Sequence, residues 1–592
     1  MCGIFGYIGG RNAEKIITEG LKRLEYRGYD SWGIAVKQDD KIYIHKTIGE
    51  IGEVEEADHL PNAFVGIGHT RWATHGGVTQ TNAHPHFSSD MSFVVAQNGI
   101  VENYQELKED LIKKGYKFKT QTDTEVIVRL IEEKLKEVDS LTEAVRLAFL
   151  DLKGRNTIII LEQRGEHIIA VRNGSPLVLG IRDGSPREFF LASDILSFAN
   201  HTNKVVFLND MNMIDIQEGK LEMTDVQTEK SLKVVVKEVD EGAVEIDKEG
   251  YEHFMLKEIV EQQYTIREAA NYKEEDFEDL IEAIRKADTV YTVGAGTAAY
   301  AAGQIAYYLR KVSGIKTIEL RSYEMGSYEN ILEKDDVMIA VSQSGETADT
   351  IEAIEFAKNK GVKIASIVNM IGSTVTRISD YPFFTRSGPE ICVASTKAFT
   401  AQVSWGYLLS MMLVDKYEEA KNEISTLTAS LGRYFNETLF EQIKTIADRL
   451  KDQEHFFILG RDANSYIALE GALKVKEITY KHFEGFAAGE LKHGVIALIE
   501  EGTPVFSIIS DDKAKDDMIS ATAEVKARGA WVIGVGQVET KFFDEYLEVP
   551  EAGPVSTLAN IIPFQLISYF LGLVLGNSID KPRNLAKSVT VK

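Results

Sequence analysis

Over the first 220 or so residues, apolar side chains fall at alternate positions or in short runs. KIYIHKTIG, SFVVAQNG, NTIIILEQ and HIIAVRNG are of this kind, each bounded by Gly, Asn or Asp. A period of two over a few residues predicts half-buried strands. A helix is predicted near Thr122, where TDTE has the form of a capping box before VIVRLIEEKLKEV. From 221 to 247 the pattern fades into a charged stretch, TEKSLKVVVKEVDEGAVEIDKEG, read as a connector. Beyond about 250 strand patterns alternate with helical ones, which implies parallel α/β sheets.

That second half repeats itself. The strand-to-turn YTVGAGTAAYAAG around Gly294 is echoed by FFILGRDANSYIALEG around Gly460, 166 positions later. VMIAVSQS, ending at Ser344, has its counterpart in PVFSIIS, ending at Ser510, again 166 later. KGVKIASIVN and RGAWVIGVG keep nearly that spacing. Two tandem copies of one doubly wound α/β unit are expected, over 248–430 and 440–582. The apolar run Ile561 to Ile579 approaches membrane-spanning length. Pro563, Gln565, Ser568 and Tyr569 interrupt it, so a buried core helix starting near Pro563 is predicted. The residues after Pro582 lack a strong helical period and read as a tail, 583–592, laid over a surface.

Composition narrows the function classes. With 592 residues, 44% hydrophobic and 27% charged, the chain can build several cores. Its 66 basic and 91 acidic residues leave a net charge of −25. That excludes a basic face for nucleic acid and disfavours an anionic membrane. An anionic substrate must be held by local donors. Two cysteines, Cys2 and Cys392, provide neither a disulfide framework nor a Cys-based zinc site. With no signal-like start, a cytoplasmic location is expected.

Cys2 follows Met1 directly. Removal of Met1 would leave a cysteine whose α-amine can act as general base for its own thiol. MCGIFGYIG, LEYRGYDSWG, GIGHTRWATHG, NAHPH, QNGIVENY and QTDTE follow in order over about 125 residues. Together they resemble the class II, N-terminal-nucleophile glutamine amidotransferases. The resemblance implies a layered domain over 2–220 in which Cys2 attacks the side-chain amide of glutamine. Physical readings fit it. Asn98 and the Gly99 N–H can supply two donors to an acyl-transfer oxyanion; a bare Asn-Gly is otherwise a turn. Arg71 suits a carboxylate, and Asp123 an ammonium or the capping of the helix it precedes. In that family the segment from Trp72 to Thr79, with Thr74 and His75, closes over glutamine.

In the second half SQSGETADT joins a strand to a helix. Ser342, Gln343, Ser344 and Thr347 crowd the helix start, where hydroxyls and free N–H groups suit a phosphate monoester or simply cap the helix. No Gly-Lys-Ser/Thr follows, so a nucleotide loop is excluded. Glu470, Lys474 and Glu477 share one helical face. In isolation that face reads as a solvated salt-bridge stripe, the alternative being a carboxylate base tuned by a lysine.

SQSGETADT, EICVASTKAFTAQ, ALEGALKVKEITY, AAGELKHG and KPRNLAKSVTVK resemble the isomerising glutamine:fructose-6-phosphate amidotransferases, over essentially the whole chain. The resemblance implies an N-terminal amidotransferase domain followed by two sugar-isomerase domains, working as a cytoplasmic homodimer without metal or organic cofactor. It implies L-glutamine and D-fructose 6-phosphate as substrates. Ser342, Gln343, Ser344 and Thr347 would hold the phosphate, and Thr297, Val393, Ser395 and Ala586 would line the sugar. His493 of the neighbouring subunit would open the ring, Lys587 would form a Schiff base with C2, and Glu477, beside Lys474, would move the proton. Ammonia would pass through an internal channel gated by Trp72. The sequence departs from the family at Ala298, Trp32, Gln97 and Gln263, which leaves room for a paralogue aminating another ketose phosphate.

Overall fold

The computed structural model describes residues 2–52, 60–239 and 247–590. It divides into two compact units, Met1–Ile246 with Ser588–Lys592, and Asp247–Lys587.

Two antiparallel sheets face each other in the first unit. Gly3–Ile8 lies inside the eight-stranded sheet, between Val65–Arg71 and Glu188–Ala192. Phe93–Gly99 pairs with Asn156–Glu162 in the six-stranded sheet. Period-two alternation sorts the side chains. Ile4 and Ile8 enter the core between the sheets with Val94, Ala96 and Ile159. Phe5 and Tyr7 turn outward onto helix Ala13–Leu24. Phe93 and Val95 turn the other way, onto Thr124–Lys134 and Leu141–Leu150. The layers are thus helix, sheet, sheet, helix.

Two expectations are corrected here. The stretch 221–247 is not simply a connector. Lys220–Asp225 pairs with Asn212–Gln217, and Lys237–Glu238 pairs with Lys204–Phe207, so the first unit runs past 220. Residues 240–246 of that stretch lie outside the described residues. The capping box does not form either. The cap residue of Thr124–Lys134 is Asp123, whose side chain makes no cap bond. Glu125 instead accepts the N–H groups of Lys119 and Thr120 and pairs with Arg129 at 2.9 Å.

In the second unit the repeat is explicit. One five-stranded parallel sheet runs Thr317–Arg321, Val290–Gly294, Val337–Ser342, Lys363–Val368, Tyr381–Phe384. The other runs His482–Ala487, His455–Gly460, Pro504–Ile509, Trp531–Gly536, Glu545–Glu548. In both, the second strand in the chain sits at the edge, next to the first. Even the turns agree: Gly296 (φ 56°, ψ −130°) and Asp462 (φ 51°, ψ −122°), 166 apart, precede Thr297–Lys311 and Ala463–Thr479. That conformation suits glycine and strains aspartate. Along the chain, the first copy passes to the second at the turn between helices Tyr417–Tyr434 and Glu437–Leu450.

The apolar run forms the buried helix Ile562–Val574, with its proline in the first turn. Its polar residues have partners inside the protein. Gln565 Oε1 accepts from Gln262, Ser568 Oγ donates to the Lys474 carbonyl at 2.8 Å, and the Tyr569 hydroxyl meets His253 at 3.1 Å.

Candidate active site

Each unit gathers one group of reactive residues. In the first, pairing of Gly3–Ile8 with Val65–Arg71 sets Gly3 opposite Thr70. Cys2 and Trp72 therefore leave adjacent strand ends together. The Trp72 N–H points to Cys2 Sγ at 3.3 Å, and Sγ lies 3.5 Å from the Trp72 carbonyl. Burial pushes the Cys2 thiol above its ordinary value, against the pull of the Trp72 N–H and the Arg71 charge.

Asn98 Nδ2 donates to the Cys2 carbonyl at 3.1 Å and to Ser193 Oγ at 2.9 Å. Gly99 has φ 122°, and a Cβ there would lie 1.9 Å from the Arg155 carbonyl oxygen. Only glycine lets the strand end turn in this way, so Asn98-Gly99 is a strand terminus rather than a free turn. Asp123 is buried and accepts the Val101 N–H at 2.8 Å.

The Arg71 guanidinium donates to the carbonyls of His75, Gly76 and Gly77 at 2.5, 3.2 and 3.3 Å. It thereby shapes the loop that carries Thr74 and His75. His75 packs edge-on to Tyr104 with ring centroids 5.0 Å apart. Beneath this group lie three buried histidines that the sequence reading left without a role. Burial pushes His69 down to about 3 and holds His84 and His86 well below their ordinary value, so all three are neutral struts. His69 Nε2 donates to the Gln97 carbonyl at 3.0 Å, and Gln97 Nε2 donates to Asn156 Oδ1 at 2.8 Å. Gln97 thus anchors the strand that presents Asn98.

In the second unit, Thr297 follows strand Val290–Gly294, and Ser342 to Thr347 follow its neighbour Val337–Ser342. The chain leaves these two adjacent strands in opposite directions across the sheet. That is the switch point at the carboxyl ends of parallel strands, where such folds bind ligands. Thr347 occupies the cap position of Ala348–Asn359 without a side-chain cap bond. Ser342 Oγ accepts the Gly345 N–H at 2.9 Å, and Ser344 Oγ accepts the Glu346 N–H at 3.2 Å. Gln343 holds the next loop through its carbonyl, which accepts from Asn369 and Met370. Ala298, in the first turn of its helix, packs on the core cluster.

The second copy keeps only one of these serines, and that one is bonded internally. Ile508 and Ile509 stand where Ser342 and Gln343 stand, 166 positions earlier. Ser510, the counterpart of Ser344, accepts from both Asn464 and Asn560.

The Glu470–Lys474–Glu477 face is buried, not solvated. Lys474 is 1% exposed, lies 3.5 Å from Glu470 and 2.6 Å from Glu477, and donates to Thr297 Oγ1 at 2.9 Å. Burial, reinforced by the Glu477 charge, pushes Glu470 up to about 8. The two carboxylates outweigh burial at Lys474 and raise it above the ordinary lysine value.

The tail brings in Lys587 through a series of fixed points. Asp580 caps helix Phe254–Ala269 by accepting the N–H groups of Phe254 and Met255, and its carbonyl accepts the Val393 N–H. The Arg583 N–H donates to the Tyr480 hydroxyl at 2.8 Å. The Lys587 side chain, 2% exposed, then donates to Glu390 Oε2 at 2.5 Å and to the Cys392 carbonyl at 2.7 Å. Ser395 Oγ donates to the same Glu390 oxygen at 2.7 Å. Ala586, partly buried, precedes Lys587. His493 is exposed at the end of Ala488–His493, and no hydrogen bond among the described residues joins it to Lys474 or Lys587.

Sequence reasoning missed Glu390 and Glu258. The signal for Glu258 was a carboxylate in register with the buried face Met255, Ile259, Gln262, Ile266.

Family models match both halves: a glutamine amidotransferase domain over 69–200 and the SIS domain over 283–412 and 449–548. The glutamine–fructose-6-phosphate aminotransferase (isomerising) of Pyrococcus horikoshii is 42% identical over the full length of both chains. The chain belongs to the isomerising glutamine–fructose-6-phosphate aminotransferase family. The member from Aquifex aeolicus is 40% identical, again over both full lengths. Among solved structures, the C-terminal domain of glucosamine-fructose-6-phosphate aminotransferase from Francisella tularensis is 31% identical, with a TM-score of 0.52. It matches along its whole length, which covers 57% of this chain. The tagatose-6-phosphate ketose/aldose isomerase of Escherichia coli, 17% identical with a TM-score of 0.50, shares the fold of the 57% of this chain that it covers, along 96% of its own length.

Proposed function

We propose that this aminotransferase converts L-glutamine and D-fructose 6-phosphate to L-glutamate and D-glucosamine 6-phosphate, the first step towards amino sugars. After loss of Met1, the α-amine of Cys2 takes the thiol proton and the thiolate attacks the glutamine amide. Asn98 and the Gly99 N–H stabilise the oxyanion. Arg71 and Asp123 hold the carboxylate and ammonium of glutamine, and the loop with Trp72, Thr74 and His75 covers it. The ammonia released is the nitrogen donor for the sugar.

At the second site the helix start with Ser342, Gln343, Ser344 and Thr347 binds phosphate, while Thr297, Val393, Ser395 and Ala586 line the sugar. Lys587 forms the imine at C2, and Glu477 shuttles the proton between C2 and C1 with Lys474 fixing its charge. His493 acts from the second subunit of a cytoplasmic homodimer. The observation that carries the sugar half is Lys587: the tail buries a primary amine beside a carboxylate, where a merely solvated tail lysine would stay in water.

The test is a product assay with glutamine and fructose 6-phosphate. Glucosamine 6-phosphate and glutamate should appear in equal amounts. Glutamate without amino sugar would overturn the sugar half.

A further inference from the structure

Lys587 cannot attack a ketone while its nitrogen carries three hydrogens. In the structure that nitrogen lies 2.5 Å from Glu390 Oε2 and 2.7 Å from the Cys392 carbonyl, which can only accept. Glu390 is buried and firmly held. Its Oε1 accepts the N–H groups of Thr396 and Ala398 at 2.9 and 3.0 Å, and its Oε2 accepts from Ser395 and Lys587. The Lys587 charge, with the hydrogen bonds from Lys587, Ala398 and Ser395, outweighs burial and holds the Glu390 carboxyl below its ordinary value. Several other groups surround the pair. Glu258 Oε1 accepts the N–H groups of Ile391 and Cys392, while its buried Oε2 has no hydrogen-bond partner. Burial, reinforced by the Glu390 charge, pushes Glu258 up to about 8. Lys397 is paired with Glu261 at 2.7 Å. Lys474 feels the Glu390 charge, and Asp580 and the buried Cys392 thiol stand on the flanking loops. With Glu258 neutral, Lys587 and Glu390 are left as one cation facing one anion.

We propose that Glu390 is the base for Lys587: it takes the ammonium proton as the amine attacks C2 and returns it to the C2 oxygen as water leaves. This rests on Lys587 being the Schiff-base lysine. The step balances. The new C–N bond moves the carbonyl π electrons onto the C2 oxygen, which then takes one hydrogen from nitrogen and one from the Glu390 carboxyl. Loss of water leaves an iminium bearing the third hydrogen, and Glu390 ends as the carboxylate it began as. No proton is exchanged with solvent, so imine formation should not depend on pH over the range in which the pair persists.

The experiment is cyanoborohydride trapping of fructose 6-phosphate, read as the rate at which a sugar-sized mass attaches to the Lys587 peptide from pH 6 to 7, below the range in which Glu258 ionises. The parent rate should be level within about twofold. In Glu390→Gln the amine must lose its proton to water. Trapping should therefore be at least tenfold slower than the parent at pH 6, with the gap closing as pH rises. Circular dichroism checks the fold of the variant. If the variant does not fold, the parent profile decides, because a parent rate that climbs tenfold per pH unit overturns the proposal. Parent-like trapping by Glu390→Gln at pH 6 overturns it while leaving the Schiff base in place. Absence of sugar on Lys587 at every pH, together with an active Lys587→Arg variant, removes the Schiff base itself and Glu390 with it.

Discussion

At the scale of single residues the two sites can be separated chemically. Cys2→Ala removes the nucleophile, so glutamate release should fall by at least about a thousandfold. The second unit keeps its own residues, and interconversion of fructose and glucose 6-phosphates should persist in a coupled assay. Lys587→Arg should do the reverse. It keeps the positive charge against Glu390, but a guanidinium stays protonated and forms no comparable imine. Amino-sugar formation should drop by at least about a hundredfold, while glutamine hydrolysis stays near the parent rate. Normal amino-sugar output from this variant would return Lys587 to the role of a structural cation. The identity of Cys2, Asn98, Gly99 and Lys587 as candidates was legible in the sequence. Their surroundings were not. Asp123 has the sequence signature of a cap but accepts the Val101 N–H from the loop that follows Phe93–Gly99, and Glu470 and Lys474 have the signature of a surface pair but are buried. Residue type and spacing are the same in either case, and only the packed neighbours distinguish them.

At the scale of elements, strand pairing creates both the site and a pH-dependent contact far from it. His167 opens strand His167–Asn173, between Glu162 at 2.6 Å and Asp215 at 2.9 Å. Burial alone would lower its pKa, but the two carboxylates outweigh that and lift it to about 9. A folded-state pKa raised above the unfolded value stabilises fully below about 6.5, and the contribution is lost as pH climbs through about 9. The upper bound is on the order of 3 kcal/mol. The parent should melt higher at pH 6 than at pH 9.5, and His167→Gln should narrow that difference. An unchanged difference in the variant would show that His167 is not the titrating group. The same scale explains why one copy of the repeat is suited to phosphate. Both copies share strand order and turn, but the second fills its switch point with Ile508, Ile509 and the bonded Asn464–Ser510–Asn560 set.

At the scale of the whole molecule, the homodimer reading makes His493 and Lys587 members of one site drawn from two chains. A mixture of His493→Ala and Lys587→Arg proteins, each inactive in sugar amination, should regain activity after subunit exchange. Random pairing makes half of the dimers mixed, each with one intact site of two, so about a quarter of the parent rate is expected. No recovery in a mixture shown to exchange subunits would place both residues in one chain. The sequence by itself determined the class of each half and offered candidate reactive residues, with Glu390 and Glu258 missing from them. Alternation of period two, the 166-residue echo and short motifs are local properties, set by backbone geometry and side-chain chemistry. It did not determine that 221–239 belongs to the first unit, because Lys237–Glu238 is a strand only through its pairing with the distant Lys204–Phe207. Nor did it determine that Glu390 faces Lys587 across nearly two hundred residues of chain. Tertiary structure decided that, because whether a carboxylate is solvated, a cap or a base depends on what is packed against it, and burial alone sets the cost of its charge.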